Sequence, residues 1–303
     1  MLLVKKQDSS YQTKLIITLL LVYFVWGSTY LGVKIALHTL PPLLLAGIRF
    51  ALGGAILFVI TLIRGYKLPT LEEFKGGAYV GFLLSGIGNG CVAYAIKFIP
   101  SGLVALLVAT LPAWMILLDY LFFRHQKPSI LALVGIVAGL VGMVVMFDPF
   151  SKASVTEIAL FPAFIVFVGE IAWAYGSLKS PYLTMPKGLQ STAVQMFVGG
   201  SFLLILSLFT ESNQVAAIQS MTTETYLTMA YLIFVGSFIG YTSYIWLINN
   251  APTQITATYA YVNPVVAIFL GWLFVGEKLS FNTLVASSII LTGVILMTLG
   301  RKK

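Results

Sequence analysis

The chain has 303 residues, 59% hydrophobic and only 9% charged, with a formal net charge of +8. Soluble domains carry charge on about a quarter of their residues, and one this apolar would expose aggregating patches, so the composition excludes a water-soluble fold and makes the bilayer the solvent. The single Cys91 excludes an intrachain disulfide and a cysteine-based metal cluster.

In chain order the sequence is a series of charge-poor runs, each near the roughly 20 residues a helix needs to cross the hydrocarbon. No small-residue cleavage site follows the first apolar run, which leads directly into more membrane helix, so that run is read as a membrane helix and not a leader. Span one, 15–33, carries Trp26 and Tyr30 one turn apart. Span two, about 43–63, holds Arg49 two turns inside. Asn89 and Tyr94 lie in span three, 76–96, and Pro112 sits near the middle of span four, 98–118. Span five, 128–147, has a ridge of Gly135, Gly139 and Gly142. Such a ridge is a packing surface, and a second copy of the chain is one candidate to cover it. Glu170 falls near the midplane of span six, about 158–178, with Trp173 one turn further on. Span seven covers 188–210. The run 225–276 holds spans eight and nine, divided at Asn249-Asn250-Ala251-Pro252. Trp246 is in the eighth, and Thr256, Tyr259, Asn263 and Pro264 are in the ninth. The tenth is 279–300.

Basic residues set the orientation, because they favour cytoplasmic loops near span ends. With the N-terminus inside, the inner segments hold Lys5, Lys6, Lys14, Arg64, Lys67, Lys75, Arg124, Lys127, Lys179, Lys187, Arg301, Lys302 and Lys303. The outer loops hold only Lys97, Lys152 and Lys278, with Lys34 near an outer helix end. This bias predicts ten spans in the plasma membrane with both termini, 1–13 and 301–303, cytoplasmic. The net charge of +8 is then topology, and no nucleic-acid partner is expected. The longest polar stretches, 64–75, 148–157 and 211–224, are too short to fold an ATPase, and the chain has no phosphate-binding loop.

The chain repeats at an offset of 152 residues. Ser85 matches Ser237, Gly88 matches Gly240, Pro100 matches Pro252 and Pro112 matches Pro264; Trp26-Gly-Ser and Trp173-Ala-Tyr-Gly-Ser open the two halves. Two proline pairs and a glycine pair at one offset are not a by-product of apolar composition. The fold class expected is therefore an all-α membrane protein of ten helices in two repeats, 14–147 and 157–300. Five spans is an odd number, so the second repeat is inverted, the architecture of secondary transporters with a site near the midplane.

Several residues are candidates for that site. Pro112 and Pro264 remove a backbone donor at bilayer depth, which predicts helix breaks beside a cavity; the alternative is a simple kink. Thr256, Tyr259 and Asn263 share one helix face and line a cavity or hydrogen-bond a neighbouring helix. Trp26, Tyr30 and Trp173, with Tyr94 and Trp246 at one repeat position, supply aromatic walls. Arg49 suits a substrate carboxylate or snorkels to the outer interface. Glu170 is costly at its depth: it is either a static partner for Arg49 or a carboxyl that takes up and releases a proton in each cycle. Asp119 and Lys97 read as interfacial, and Glu277-Lys278 reads as a solvated turn. His38 and His125 lie in loops, which predicts no metal site and no cofactor; an intramembrane enzyme would need an acid–base or metal constellation that they do not form.

Taken together, Trp26-Gly-Ser-Thr-Tyr30, Pro41-Pro42 with Ala46-Gly-Ile-Arg49-Phe50, Gly88-Asn89-Gly90, Pro100-Ser-Gly102 with Ala109-Thr-Leu-Pro112, Trp173-Ala-Tyr-Gly-Ser177, Tyr259-Ala-Tyr-Val-Asn-Pro264 and Gly276-Glu277 resemble the EamA family of the drug/metabolite transporter superfamily over nearly the whole chain. The resemblance implies ten helices, inverted five-helix halves and export of metabolites or drugs. Glu170 lies outside those motifs, and Arg124-His125 stands where the second half has Gly276-Glu277. The expected function is export of a small amphipathic solute such as an amino acid. A phosphate or nucleotide-sugar exchanger and a non-transporting membrane sensor are the alternatives.

Overall fold

The computed structural model describes residues 9–123, 125, 127–147, 157–251, 255 and 258–300. Regular structure among them is helical throughout, with no strand. The principal elements are α1 (Ser9–Ala36), α2 (Pro42–Ile63), α3 (Leu71–Gly81), α4 (Asn89–Phe98), α5 (Ser101–Val108), α6 (Leu111–Leu118) and α7 (Ile130–Phe147). After these come α8 (Glu157–Lys179), α9 (Leu189–Thr210), α10 (Gln214–Gln219), α11 (Thr223–Ala230), α12 (Gly240–Asn250), α13 (Tyr259–Val275) and α14 (Phe281–Leu299). Counting continuous stacks, eight helical segments are long and apolar enough to cross a membrane, and two shorter apolar helices, Ile130–Met146 and Tyr259–Val275, accompany them. The two shorter helices are the fifth and ninth of the expected spans; at 1.5 Å per residue, a 17-residue helix such as α13 extends about 26 Å.

The outer surface is the lipid surface. Leu133, Val137, Leu140, Val141 and Val144 stand exposed along α7, as do Phe161 and Phe164 on α8. In water such a face aggregates, whereas against acyl chains it is matched.

Helices from the two ends of the chain interleave: α2 packs along α9, α1 along α13, α7 along α14, and α8 along α4. Small residues permit the approach. A methyl group built on Gly135 would fall 2.7 Å from the Met297 backbone nitrogen, and one on Gly142 would fall 2.6 Å from Ile290 Cγ1. Gly135 and Gly142 of the α7 ridge therefore pack on α14 of the same chain, as a small-residue packing surface does.

Three stretches among the described residues are wound as π-helix: Phe82–Gly88 between α3 and α4, Tyr231–Ile239 between α11 and α12, and the short Asp119–Phe123 after α6. Wider turns displace backbone carbonyls from α-helical partners, and side chains answer them: Asn89 Nδ2 donates to Leu84 O at 3.2 Å, and Ser237 Oγ to Leu232 O at 3.1 Å. The break expected at Pro112 is present. Ala109 and Thr110 form a turn, Pro112 stands in the first turn of α6, and Thr110 Oγ1 donates to Leu107 O at 2.6 Å. Pro264 does not break its helix, contrary to expectation: α13 starts at Tyr259, so the proline sits in its second turn and the helix continues to Val275.

Glu277 is not a solvated turn residue. Gly276 ends α13 in the left-handed conformation (φ 68°) and reverses the chain. That reversal carries the Glu277 carboxylate onto the N-terminus of α5, where it accepts from Ser101 N at 2.6 Å and Gly102 N at 3.3 Å. Gly271 makes room, since a methyl there would lie 2.9 Å from Glu277 Cδ. Glu211 does the same for α2, accepting from Leu43 N and Leu44 N, each at 2.9 Å, and from Ser207 Oγ at 2.7 Å. A carboxylate at a helix N-terminus meets both unpaired N–H groups and the positive end of the dipole, and each charged hydrogen bond contributes about 1.5–3 kcal/mol. These two caps tie the first and second parts of the chain together at one end of the bundle.

Candidate substrate cavity

The bundle encloses a cavity of about 460 Å³ lined from both parts of the chain. Its aromatic wall is built around Trp26 of α1. The Trp26 ring lies 5.7 Å from Tyr241, 4.9 Å from Tyr244 and 5.3 Å from Tyr259, mostly edge-on, and Tyr244 meets Tyr259 at 5.5 Å. Edge-to-face rings of this kind form a stiff box. Trp173 of α8 lines the opposite part of the cavity with Asn89.

Glycines of the π-wound helices make the space for these rings. A methyl on Gly240 would fall 2.8 Å from Trp26 Cδ1, and one on Gly88 would fall 2.8 Å from Trp173 Cε3. Gly88 and Gly240 are the matched glycines of the repeat, and each backs onto the tryptophan contributed by the other part of the chain.

Arg49 and Glu170 also line the cavity. Arg49 does not snorkel: its guanidinium carbon is 4.8 Å from the Phe50 ring centroid, and a methyl on Gly236 would lie 3.3 Å from Nη2. Nor do the two charges form a static pair, because the ion pair among the described residues is the exposed Lys75–Glu72. Arg49 Nε and Glu170 Oε2 are both buried without a hydrogen-bond partner. The Asn263 amide, read in the orientation that lets its nitrogen donate, reaches Tyr23 O at 3.2 Å and Tyr259 O at 3.3 Å.

The lining is unevenly buried: Ser177, Ser180, Thr192 and Gln195, where α8 ends and α9 begins, are half-buried, while Val33, Leu45 and Ile96 are buried. Leu45 follows directly on Leu43 and Leu44, the residues that Glu211 caps.

The structure thus brings together Trp26, Tyr30, Arg49, Asn89, Glu170, Trp173, Tyr259 and Asn263. It does not bring Tyr94, Trp246, Pro112 or Pro264 to the lining, and Thr256 lies outside the described residues. Tyr94 packs on Phe98 at 5.0 Å; Trp246 faces Tyr11 at 6.2 Å, with Lys14 Nζ 5.1 Å from its ring. The reason is helical phase. Tyr94 and Trp246 lie five residues beyond Asn89 and Tyr241, which at about 100° per residue turns them roughly 140° away from the cavity. Sequence reasoning missed Tyr241 and Tyr244. The repeat could have found the first, since Tyr241 is 152 residues beyond Asn89 and follows the matched Gly240.

Comparison with known proteins accords with this geometry. The EamA-like transporter family matches residues 13–148 and, a second time, 159–299. The uncharacterized inner membrane transporter YedA of Escherichia coli K12 is 36% identical over 281 residues, covering 92% of this chain and 89% of that one. A probable amino-acid metabolite efflux pump of the same strain is 25% identical over 296 residues, with 93% of each chain covered. A protein of known crystal structure superposes with a TM-score of 0.63 at 17% identity, covering 95% of this chain and 97% of that one, a likeness of fold alone.

Proposed function

Because the chain belongs to the EamA-like transporter family, a family of membrane transporters, we propose that it is a secondary transporter exporting a small amphipathic metabolite, such as an amino acid, by alternating access. The observation that carries the proposal is the central cavity of about 460 Å³. Both parts of the chain line it, and its lining is half-buried at Ser180 and Thr192 and buried at Leu45 and Ile96. We read that asymmetry as one half-cycle, open toward Ser180 and Thr192. The other half-cycle requires Glu211 and Glu277 to release the α2 and α5 N-termini and the opposite end to close.

The proposal includes two inverted five-helix repeats, 14–147 and 157–300. It is supported by the double family match, by the paired π-wound stretches and by the crosswise packing of Gly88 on Trp173 and Gly240 on Trp26. In this reading, which the basic-residue bias supports, both termini and the open end of the cavity face the cytoplasm. Reporter fusions after Lys187 are expected to read cytoplasmic, and fusions within 211–224 external; an external reading at Lys187 would overturn the inversion. A phosphate or nucleotide-sugar exchanger fits less well, since a dianion calls for several cationic partners and Arg49 is the one Lys or Arg among the described lining residues. The transport reading itself is tested by counterflow in proteoliposomes loaded with a panel of amino acids. Labelled solute is expected to enter against excess internal solute at a rate well above protein-free vesicles, and no counterflow of any solute class would sink it.

A further inference from the structure

Arg49 and Glu170 put a guanidinium and a carboxyl group into one cavity without satisfying each other. Arg49 projects from α2 and Glu170 from α8, and Tyr30 of α1 lies in electrostatic reach of both. Arg49 Nε and Glu170 Oε2 are buried and unpartnered. Buried charges are normally paired or hydrogen-bonded, because desolvation without compensation is costly. A cavity that keeps a guanidinium and a carboxyl group apart, each with an idle polar atom, is the complement of a ligand whose own anion and cation would pair with them.

We propose that the cavity is a zwitterion site: Arg49 receives a carboxylate, Glu170 receives an ammonium, and the ligand's apolar part rests on the rings of Trp26, Tyr241 and Tyr244. This inference rests on the transport reading and adds which side chains hold each end of the solute. A planar guanidinium suits a carboxylate through two parallel hydrogen bonds. Specificity follows from what a wrong ligand leaves behind. A simple amine leaves the Arg49 charge desolvated, and a simple carboxylic acid leaves that of Glu170, and sites built around buried polar groups reject analogues that lack a partner for them. The cavity volume falls within the range of small-molecule pockets.

The test is the melting temperature of the full-length purified protein with three probes that share the isobutyl side chain at neutral pH: L-leucine, 3-methylbutylamine and 4-methylpentanoate. A ligand of the native state raises the melting temperature in proportion to its occupancy. L-Leucine is expected to act at a concentration at least tenfold below either singly charged probe. Arg49→Gln is expected to erase the preference over the amine, and Glu170→Gln the preference over the acid, so the two variants lose opposite halves of the selectivity. Should Arg49→Gln fail to fold, Arg49→Lys, which keeps the charge and loses the fork, is expected to weaken L-leucine while leaving the amine unchanged. Equal or stronger action of the amine or the acid on the wild type overturns the proposal, as does silence to all three. If counterflow of some other solute persists in that case, the zwitterion site fails and the transport reading stands.

Discussion

Glu170→Gln is expected to abolish pH-driven accumulation in proteoliposomes while counterflow at saturating solute persists. With no phosphate-binding loop in the sequence, uphill export must draw on a gradient, and a proton gradient needs a titratable group inside the transport cavity. Among the described lining residues Glu170 is the carboxylate that meets this requirement; Glu211 and Glu277 are engaged as helix caps, and Glu72 and Glu73 lie at the start of α3. For one proton exchanged per solute, a one-unit pH gradient corresponds to about 1.4 kcal/mol, or a tenfold concentration ratio. The wild type is expected to approach that ratio, and Glu170→Gln to stay near unity. Glutamine keeps the shape and cannot cycle a proton, so the cavity survives, although the half-saturation concentration rises as the ammonium partner is lost. Glu170→Ala also leaves a hole beside Trp173, which makes it the poorer variant. Full gradient-driven accumulation by Glu170→Gln would make the carboxyl structural and the protein a facilitator.

The second large effect concerns the seam between α2 and α9. A methyl group on Gly200 would lie 2.6 Å from the Phe50 carbonyl carbon and 2.8 Å from Ala51 Cα, and one on Gly54 would lie 2.7 Å from Phe197 Cα. These are backbone atoms, and no rotamer change relieves them. Even alanine forces the helices apart, at a cost at or above the upper end of the roughly 1–3 kcal/mol typical of overpacking. The displacement would also carry Arg49, next to Phe50, out of the cavity. Gly200→Ala and Gly54→Ala are therefore expected to give aggregated protein or a melting temperature lowered by many degrees in detergent. A methyl on Gly139 meets open space, so Gly139→Ala is expected to be neutral or stabilising, with up to about 1 kcal/mol gained from helix propensity. A wild-type melting temperature for Gly200→Ala would show that the two backbones do not touch.

Sequence alone determined the solvent, the helical class and the pairing of the two parts of the chain. Those follow from one-dimensional quantities. A charge-free run is long or short against the bilayer whatever its neighbours do, and prolines and glycines recur at one offset or they do not. The same offset marked Gly88 and Gly240, and the depth of Arg49 and Glu170 could be counted from the span ends. Which way a side chain points, and what a terminus touches, were decided by tertiary packing. Tyr94 and Trp246 occupy equivalent repeat positions, yet both lie off the cavity because helix azimuth depends on the partners against which each helix packs. Pro264 shares its repeat position with Pro112, yet Pro112 stands in the first turn of α6 after a turn at Ala109-Thr110, while Pro264 lies in the second turn of a helix that runs on to Val275. Glu277 looked solvated because it follows a helix end. Only the approach of the α5 N-terminus, 175 residues away in the chain, gives its carboxylate two backbone donors, and contacts between segments so far apart leave no periodic trace in the local sequence.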